Sequence, residues 1–299
     1  MTSANFTDHA TALRQLAEDI GAATGRPENW TNPNSVYHAD IAALATEVPE
    51  WGAEAEPIFR RAVWDCGKYV SGATRHAHGV AALVEQQEIF LSAWPLLRAQ
   101  LEAGGRLTWL LEPHTKDGSG VGPKRRCARW FLEQLASVCY QHEALKALRS
   151  KRKPEAKRLR AKTVTEIERL FGTTLEWTGV TSELNWAIGD DRYLSLASGC
   201  KLFATHLHKS MDGMYPVLSG YSHPSLRFID EVLLEQVADD GFRRTSWVVE
   251  PEMLPRFVGW SGGLAYRTAT GMLSYLDGRQ DLLETAMDRF EQALADLEH

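Results

Sequence analysis

The sequence predicts an all-α protein, a compact bundle of about nine to eleven helices, and three observations support this. Apolar residues recur at helical spacing through most of the 299 residues. Proline and glycine interrupt that pattern at intervals that suit ordinary helix lengths. No series of short segments alternates apolar and polar residues in the way a half-buried sheet requires. We therefore expect helices to dominate and strands to be short.

In the first half of the chain, apolar stripes and helix breakers together define the predicted helices. A helix over 10–23 places Leu13, Leu16 and Ile20 on one face, and a short one over 37–47 follows the break at Pro33. Pro57 suits the first turn of a helix that continues over 58–70. The longest stripe covers 76–100, where Pro95 predicts a kink or break. Gly104-Gly105 is predicted to interrupt briefly before 106–111 resumes.

The second half is predicted in the same way. The stretch 124–149 is strongly helical, Pro154 marks a turn, and 155–171 forms the next helix. Two helices, 193–209 and 214–235, are expected on either side of Asp212-Gly213. An extended segment is predicted over 243–249. Helices over 255–276 and 281–297 complete the chain, and the last of them is amphipathic and acidic.

Length and composition predict one domain over 1–299 that lies in the cytoplasm. A chain of this size buries about three-quarters of its unfolded surface, so it can form a sizeable core. An N-terminal extension, 1–50, that packs on a core of 55–299 is the alternative division. No apolar run approaches a membrane span, and no basic segment followed by an apolar stretch marks a secretory signal. The four cysteines form no CxxC pair and predict reduced, mostly buried thiols.

The charge is unevenly distributed. The net charge is −6, yet the segment 146–162 contains nine Lys or Arg and a single acid, Glu155. Four more cations, at 124–129, precede it. A basic stretch on an acidic protein can bind phosphate, so nucleic acid is a candidate partner for 124–162. A solvated helical hairpin is the alternative, because the run has no aromatic residues for base stacking. The candidate contacts are Lys151, Arg152, Lys157, Arg158 and Arg160.

Two polar motifs lie on otherwise apolar helices more than a hundred residues apart. In the first, Arg98 and Glu102 stand four residues apart and Arg106 follows one turn later. In the second, Tyr215 and Ser219 share a face and His223 follows Ser219 by four residues. Buried polar groups need hydrogen-bond partners, so we expect the two motifs to meet. Glu102 would accept a hydrogen bond from the second motif in a shared polar pocket.

The roles of these residues stay open between structure and chemistry. Arg98 and Glu102 can form a partly buried structural ion pair or the wall of a ligand pocket. His223, near Pro224, can anchor a helix or act as an acid or base. A Ser–His nucleophile needs a geometry that spacing cannot establish.

Metal and nucleotide motifs are absent from the sequence, so we expect no metal and no cofactor. None of the ten histidines has Glu three residues before it, and HExxH does not occur. The pairs His76/His78 and His206/His208 would diverge by about 200° on a helix. The stretch Gly118–Arg126 is glycine-rich and basic, but it is not GxxxxGK[ST] and no strand precedes it. A surface loop is expected there.

The combined motifs resemble a group of uncharacterised, largely actinobacterial helical proteins. In these, an R-x3-E segment with a following WL-x-P pairs with a later Y-x2-LS-x3-H segment, and the resemblance covers Gln87 to Arg227. It implies an all-helical fold in which the two motifs form one site. Those proteins are distantly similar to HEPN-type ribonucleases, which carry Arg-x4–6-His; here the nearest approach, Arg106 to His114, is one residue too long. Pro113 follows Leu110 after two residues here, one more than in WL-x-P. The matching residues are Arg98, Glu102, Trp109, Leu110, Arg125, Arg126, Arg129, Tyr215, Leu218, Ser219 and His223.

The function expected from the sequence is that of a cytosolic binding or interaction protein. Its pocket would hold a small anionic ligand or a protein partner, and the resemblance suggests stress or phage-defence biology. The alternative is an enzyme that acts on RNA or on a small anionic ligand. In that case His223 would be the acid or base, and Arg98 and Arg106 would clamp the anion.

Overall fold

Helices dominate the described part of the chain, which confirms the all-α prediction. The computed structural model describes residues 3–25, 32–86, 92–112, 120–173, 186–207, 213–222, 233–237, 243–247 and 253–298. Two short antiparallel hairpins accompany the helices in these ranges: β1 (Ala187–Ile188) with β2 (Asp191–Arg192), and β3 (Leu233–Val237) with β4 (Arg243–Trp247). The helices are α1 (Ser3–Thr24), α2 (Val36–Glu47), a 3-10 helix (Pro49–Glu54), α3 (Ala55–Glu85), α4 (Ala93–Leu111), α5 (Pro123–Ala147), α6 (Lys153–Phe171), α7 (Leu196–Leu207), α8 (Met214–Ser222), α9 (Met253–Leu276) and α10 (Gln280–Glu298).

Three predicted boundaries are wrong. Helix α3 runs unbroken over 55–85, and α4 begins at Ala93, so Pro95 lies in a first turn and causes no kink. Backbone N–H groups in a first turn have no helical acceptor, so proline costs little there. Gly104-Gly105 does not interrupt α4. The predicted helix over 214–235 fails at its end, because 233–237 is strand β3; its partner β4 confirms the extended segment.

The contacts divide the chain into two compact units. The first comprises Met1–Ser35, Gly67–Thr108 and Leu196–His299, and the second comprises Val36–Cys66 and Trp109–Ser195. The single domain over 1–299, and the alternative with an extension over 1–50, therefore stay predictions, and each unit is described by itself. Among the described helices, none combines the length and the apolar character needed to cross a membrane.

In the first unit, α1 packs against α9 and α10. The predicted apolar face of α1 is confirmed, because Leu13, Leu16 and Ile20 are almost fully buried. The three helices approach closely at Gly262 of α9. A methyl group there would lie 2.5 Å from the ring of Phe290 and 3.0 Å from the side chain of Leu16. Glycine at this position therefore makes room for the aromatic ring from α10.

Helices α4 and α7 of the first unit cross with their backbones in direct contact. A Cβ atom on Gly105 would lie 2.6 Å from the carbonyl carbon of Gly199 and 2.7 Å from the backbone nitrogen of Cys200. The ring of Phe203 packs against the neighbouring Gly104, where a Cβ atom would lie 2.4 Å from the ring. Real Cβ contacts are never so short. The glycine pair therefore serves the crossing of two helices and does not break the helix that carries it.

Gln100 joins three helices of the first unit through a fully buried amide. Its nitrogen donates to the carbonyl oxygens of Ala73 in α3 (3.0 Å) and Ser261 in α9 (3.1 Å). Its oxygen accepts a hydrogen bond of 3.0 Å from the Ser261 hydroxyl. A buried amide left without partners would destabilise the fold, so these three bonds permit a polar residue at the centre of the core.

The second unit is built around the antiparallel pair α5 and α6. Its aromatic core includes Trp51, whose ring packs edge-on against Phe171 with the centroids 5.1 Å apart. The Trp51 indole donates a hydrogen bond of 2.7 Å to the Leu170 carbonyl. The β1–β2 turn contains Gly189 with φ +59°, a conformation that glycine adopts at little cost. This turn places Asp191 at the start of β2.

The helix crossing predicts a steep cost for a single methyl group. Gly105→Ala should lower the free energy of unfolding by about 1–3 kcal/mol, because its Cβ meets backbone that cannot rotate away. Gly263→Ala is the control, since nothing lies within 4 Å of a Cβ there; it should be neutral or stabilising by up to about 1 kcal/mol. Urea unfolding followed by circular dichroism measures both. Equal stability of the two variants would contradict the close crossing.

Candidate functional site

The two sequence motifs meet in the first unit through Arg98 of α4 and Tyr215 of α8. Arg98 donates from Nε to the Glu102 carboxylate at 2.8 Å, one helical turn away. Its Nη2 lies 3.4 Å from the Tyr215 hydroxyl, and its Cζ lies 5.5 Å from the centroid of the Tyr215 ring. The side chains of Arg98 and Glu102 are 20% and 23% exposed, so the cluster is neither sealed nor fully solvated. We call Arg98, Glu102 and Tyr215 the polar triad.

Helix α8 lies alongside α4 in the opposite direction. Near one end Tyr215 contacts Arg98, and near the other Tyr221 stacks on Trp94 with the ring centroids 4.3 Å apart. As the numbers rise in α8 they fall in α4. The last residue of α8, Ser222, therefore lies on the Trp94 side of the pair and away from Glu102. Within α8, this course favours Tyr215 over Ser222 as a partner of the Arg98–Glu102 pair.

The other predicted members of the second motif have different outcomes. Ser219 is half-buried one turn beyond Tyr215, on the same face of α8. The Ser222 hydroxyl donates to the Leu218 carbonyl at 2.5 Å within its own helix. His223 lies outside the described residues, so its predicted roles as hydrogen-bond partner and as acid or base stay predictions.

The helix crossing places Arg106 and Cys200 near the polar triad. Arg106 follows Glu102 by one turn and is only 5% exposed. Burial raises the pKa of Cys200 to about 12, and the negative charge of Glu102 adds to this effect, while Arg106 and Arg98 oppose it. This thiol is therefore protonated at neutral pH. The prediction that the cysteines are mostly buried is confirmed, since Cys66, Cys127, Cys139 and Cys200 are all buried and none of them is in a disulfide.

Charge balance raises the pKa of Arg98 itself. Burial opposes the charged form, but the hydrogen bond and the charge of Glu102 outweigh it, with a smaller contribution from Tyr215. The guanidinium therefore stays charged at any physiological pH. It is a permanent cation at a partly buried position, held between a carboxylate and an aromatic ring.

In the second unit, the arginines at the start of α5 face inward onto carboxylates of the chain itself. Arg125 donates to both oxygens of Asp191, at 2.8 and 3.2 Å. Arg129 donates from Nε to the same carboxylate at 2.8 Å and from Nη1 to the Trp109 carbonyl at 2.7 Å. Asp191 is 5% exposed. These cations hold the β1–β2 hairpin on α5, so this part of the predicted nucleic-acid segment is structural.

The glycine-rich start of α5 also has an internal anion. The backbone nitrogen of Lys124 donates to the Glu47 carboxylate at 3.3 Å, and that carboxylate lies against Gly122. A helix N-terminus attracts negative charge through its free N–H groups and its dipole. Arg126 is 3% exposed, lies 3.4 Å from Asp40 and donates to the Val121 carbonyl. At this glycine-rich helix start, a carboxylate of the protein itself therefore lies where a phosphate loop would hold a phosphate.

The remaining basic residues lie on the surface where α5 meets α6. We call residues 146–162 the basic tip. Lys151, Arg152, Lys157 and Arg158 are exposed, and Arg160 is half-buried. One ion pair lies within this region, Arg152 with Glu155 at 3.5 Å, and Lys146 pairs with Glu143 just before it at 3.4 Å. Two leucines here, Leu148 and Leu159, are also exposed.

Sequence reasoning missed the buried carboxylates that organise the second unit. Asp191 is one, and Asp65 is another, accepting hydrogen bonds from the Trp130 indole at 3.0 Å and the Gln134 amide at 3.4 Å. Asp65 lies beside Val63 and Cys66 in a largely apolar stretch, and that position was the available signal. Asp191 gave no such signal, because its arginine partners are more than sixty residues away in sequence.

No metal site is found among the residues that the structure describes, where no group of three potential ligands converges. His76 and His78 lie on α3 and point apart, as predicted for a helix. The side chains of His206 and His208 lie outside the described residues. A cleft of about 410 Å³ lies between α1 and α10 of the first unit, and none of the predicted site residues lines it.

Comparison with known proteins adds no relative to this picture. No protein-family model, no curated protein and no solved structure matches the chain. The resemblance to the actinobacterial helical group therefore stays a prediction that rests on the motifs.

The Asp191 junction predicts a large loss of stability when its charge is removed. Asp191→Asn should lower the free energy of unfolding by about 3–5 kcal/mol, because two largely buried arginines lose their shared counter-ion. Glu54→Gln is the control: its ion pair with Arg169 is short, at 2.6 Å, but more than half exposed. It should cost less than about 1 kcal/mol. Guanidinium unfolding compares the two, and similar losses would mean that Asp191 is solvated.

The contact between the two motifs predicts a measurable energetic coupling. Arg98→Ala and Tyr215→Ala remove opposite sides of one cation–ring contact, so their combined effect should depart from additivity by about 0.5–1.5 kcal/mol. Tyr221→Ala is the matched control on the same helix, because Tyr221 stacks on Trp94. Its effect should add to that of Arg98→Ala. Equal coupling of both tyrosines to Arg98 would show that the effect spreads through α8 generally.

Proposed function

We propose that the chain is a non-enzymatic binding protein whose ligand or partner presents a carboxylate or phosphate group to the polar triad. The observation that carries the proposal is the partial exposure of the Arg98–Glu102 pair within an otherwise apolar helix. A pair one-fifth exposed remains accessible to a second molecule.

The chemistry of the triad suits an anionic group. A guanidinium forms paired, planar hydrogen bonds with carboxylates and phosphates, and its neighbours orient it before the ligand arrives. Glu102 fixes one edge of Arg98, and the Tyr215 ring supports its face. Arg106, one turn away and nearly buried, strengthens the positive potential. An incoming anion would bind Arg98 in addition to Glu102, or would replace Glu102 in part of its contact with Arg98.

The state of the nearest nucleophile supports binding over catalysis. Cys200 is the thiol closest to the triad, and with its pKa raised to about 12 it carries almost no thiolate at neutral pH. Glu102 is hydrogen-bonded to Arg98 and so is not a free base. The described residues of the cluster therefore provide recognition groups and no activated attacking group.

The second candidate function is that of an enzyme, and the spacing of Arg98 and Arg106 favours it. Arg98 and Arg106 are eight residues apart on α4, and both act electrostatically on Cys200. Two arginines so placed could clamp the anionic group of RNA or of a small ligand, with His223 as acid or base. Turnover of RNA or of a phosphate ester that His223→Ala abolishes, while inorganic phosphate still binds, would favour this candidate.

The binding proposal is tested with simple anions. Inorganic phosphate or acetate, titrated into a buffer without other oxyanions, should raise the thermal midpoint of the wild type, because a ligand stabilises the state that binds it. Arg98→Ala should abolish the shift, and Arg98→Lys should keep part of it, since lysine retains the charge without the paired donors. Calorimetric titration measures the affinity directly.

Two controls separate this site from other cations. Arg267→Ala removes an exposed arginine of the same unit and should leave the shift unchanged. Lys151→Ala with Lys157→Ala removes charge from the basic tip and should also leave it unchanged. If phosphate and acetate stabilise the wild type and Arg98→Ala equally, the triad is structural and the proposal is wrong.

A further inference from the structure

We propose that the basic tip, residues 146–162, binds the phosphate backbone of a nucleic-acid duplex without reading its sequence. This goes beyond the proposed anion site, because it concerns another unit and a macromolecular partner. The structure narrows the interface that the sequence suggested, since Arg125, Arg126 and Arg129 face carboxylates inside the protein. The candidate contact surface therefore shrinks from 124–162 to the basic tip, which comprises the turn between α5 and α6 and the first half of α6.

The tip presents many cations that form no ion pair within the part of the chain that the structure describes. Six cationic side chains are exposed and form no ion pair with any residue that the structure describes. Only one acid, Glu155, lies within the segment, and it pairs with Arg152. The six are Arg149, Lys151, Lys153, Lys157, Arg158 and Lys162.

The cations of the tip are spaced closely enough to contact several phosphates of a duplex. The residues of α6 from Lys153 to Lys162 span about 15 Å at the rise of an α-helix. A duplex carries a negative charge about every 1.7 Å along its axis, so this length faces several phosphates at once. The turn before α6 adds Arg149 and Lys151 to the same region. About six phosphate contacts are therefore within reach of the tip.

The composition of the tip and the burial of the apolar face of α6 favour a duplex over a single strand or a membrane. Proteins that hold single strands add aromatic side chains on which bases stack, and 146–162 contains none. Helices that lie on membranes present a broad apolar face to the lipid. The apolar face of α6, with Ala156, Ile167 and Leu170, is buried in the second unit and so cannot turn to a membrane. Backbone contact with a duplex needs only exposed cations.

The test is binding of a mixed-sequence duplex, followed by fluorescence anisotropy over a range of salt. Affinity of the full chain should fall by about 10³ between roughly 50 and 200 mM salt, because each phosphate contact releases a counter-ion. Replacing four tip cations should weaken binding strongly and reduce the slope of log affinity against log salt by about 3–4. The tip variant is Lys151→Ala, Lys153→Ala, Lys157→Ala and Arg158→Ala.

The control variant removes the same number of positive charges from exposed arginines elsewhere: Arg75→Ala, Arg192→Ala, Arg256→Ala and Arg267→Ala. It should keep the affinity and the salt slope of the wild type, and circular dichroism establishes that both variants are folded. Equal losses in the two variants would show a response to net charge alone and would overturn the proposal. So would equal or tighter binding of a single strand, or binding to phosphatidylserine vesicles with none to the duplex.

Discussion

The contact on which the polar cluster of the first unit depends is the crossing of α4 and α7 at Gly105 and Gly199. A Cβ on Gly105 would be 2.6 Å from the opposing backbone, so only glycine allows this approach. The crossing brings Cys200 close enough to respond to Glu102 and Arg106, which lie on either side of the glycines in α4. A wider separation would admit water and weaken these electrostatic interactions. Two glycines, with no chemistry of their own, thus define the surroundings of the candidate site.

The two units satisfy their buried polar groups in different ways. In the first, the neutral amide of Gln100 makes three hydrogen bonds to α3 and α9, and a neutral group costs little to desolvate. In the second, Asp191 is ionic and is held by Arg125 and Arg129. Burial of these charges is costly, so the arrangement is stable only when all its members are present. The amide joins helices within a core, whereas the ion cluster fixes the β1–β2 hairpin on α5.

Local patterns predicted the helices well and their breaks poorly. The buried face of α1 follows from the spacing of Leu13, Leu16 and Ile20, which needs no knowledge of the partner helices. The effect of Pro95 depends on where the preceding helix ends, and that end is set by tertiary packing. The glycine pair at 104–105 is explained only by α7, about ninety residues away. At the site, polar groups on apolar helices predicted that the two motifs would meet, with Glu102 as the acceptor. The contact in the structure joins Arg98 to Tyr215, on a helix α8 that runs opposite to α4.

The cations of this chain differ in role according to the carboxylates within their reach. Arg98 has Glu102 one turn away, and Arg125 and Arg129 share Asp191 from a distant hairpin, so all three are oriented by the protein itself. In the sequence, the arginines of 124–129 and the lysines of the tip form one basic segment, because the sequence does not show which carboxylates they contact. The structure separates them: the first set is neutralised internally, while the tip offers one acid among nine cations. The six exposed cations of the tip form no ion pair with the described residues, so a regular polyanion would supply them with counter-ions in dense form.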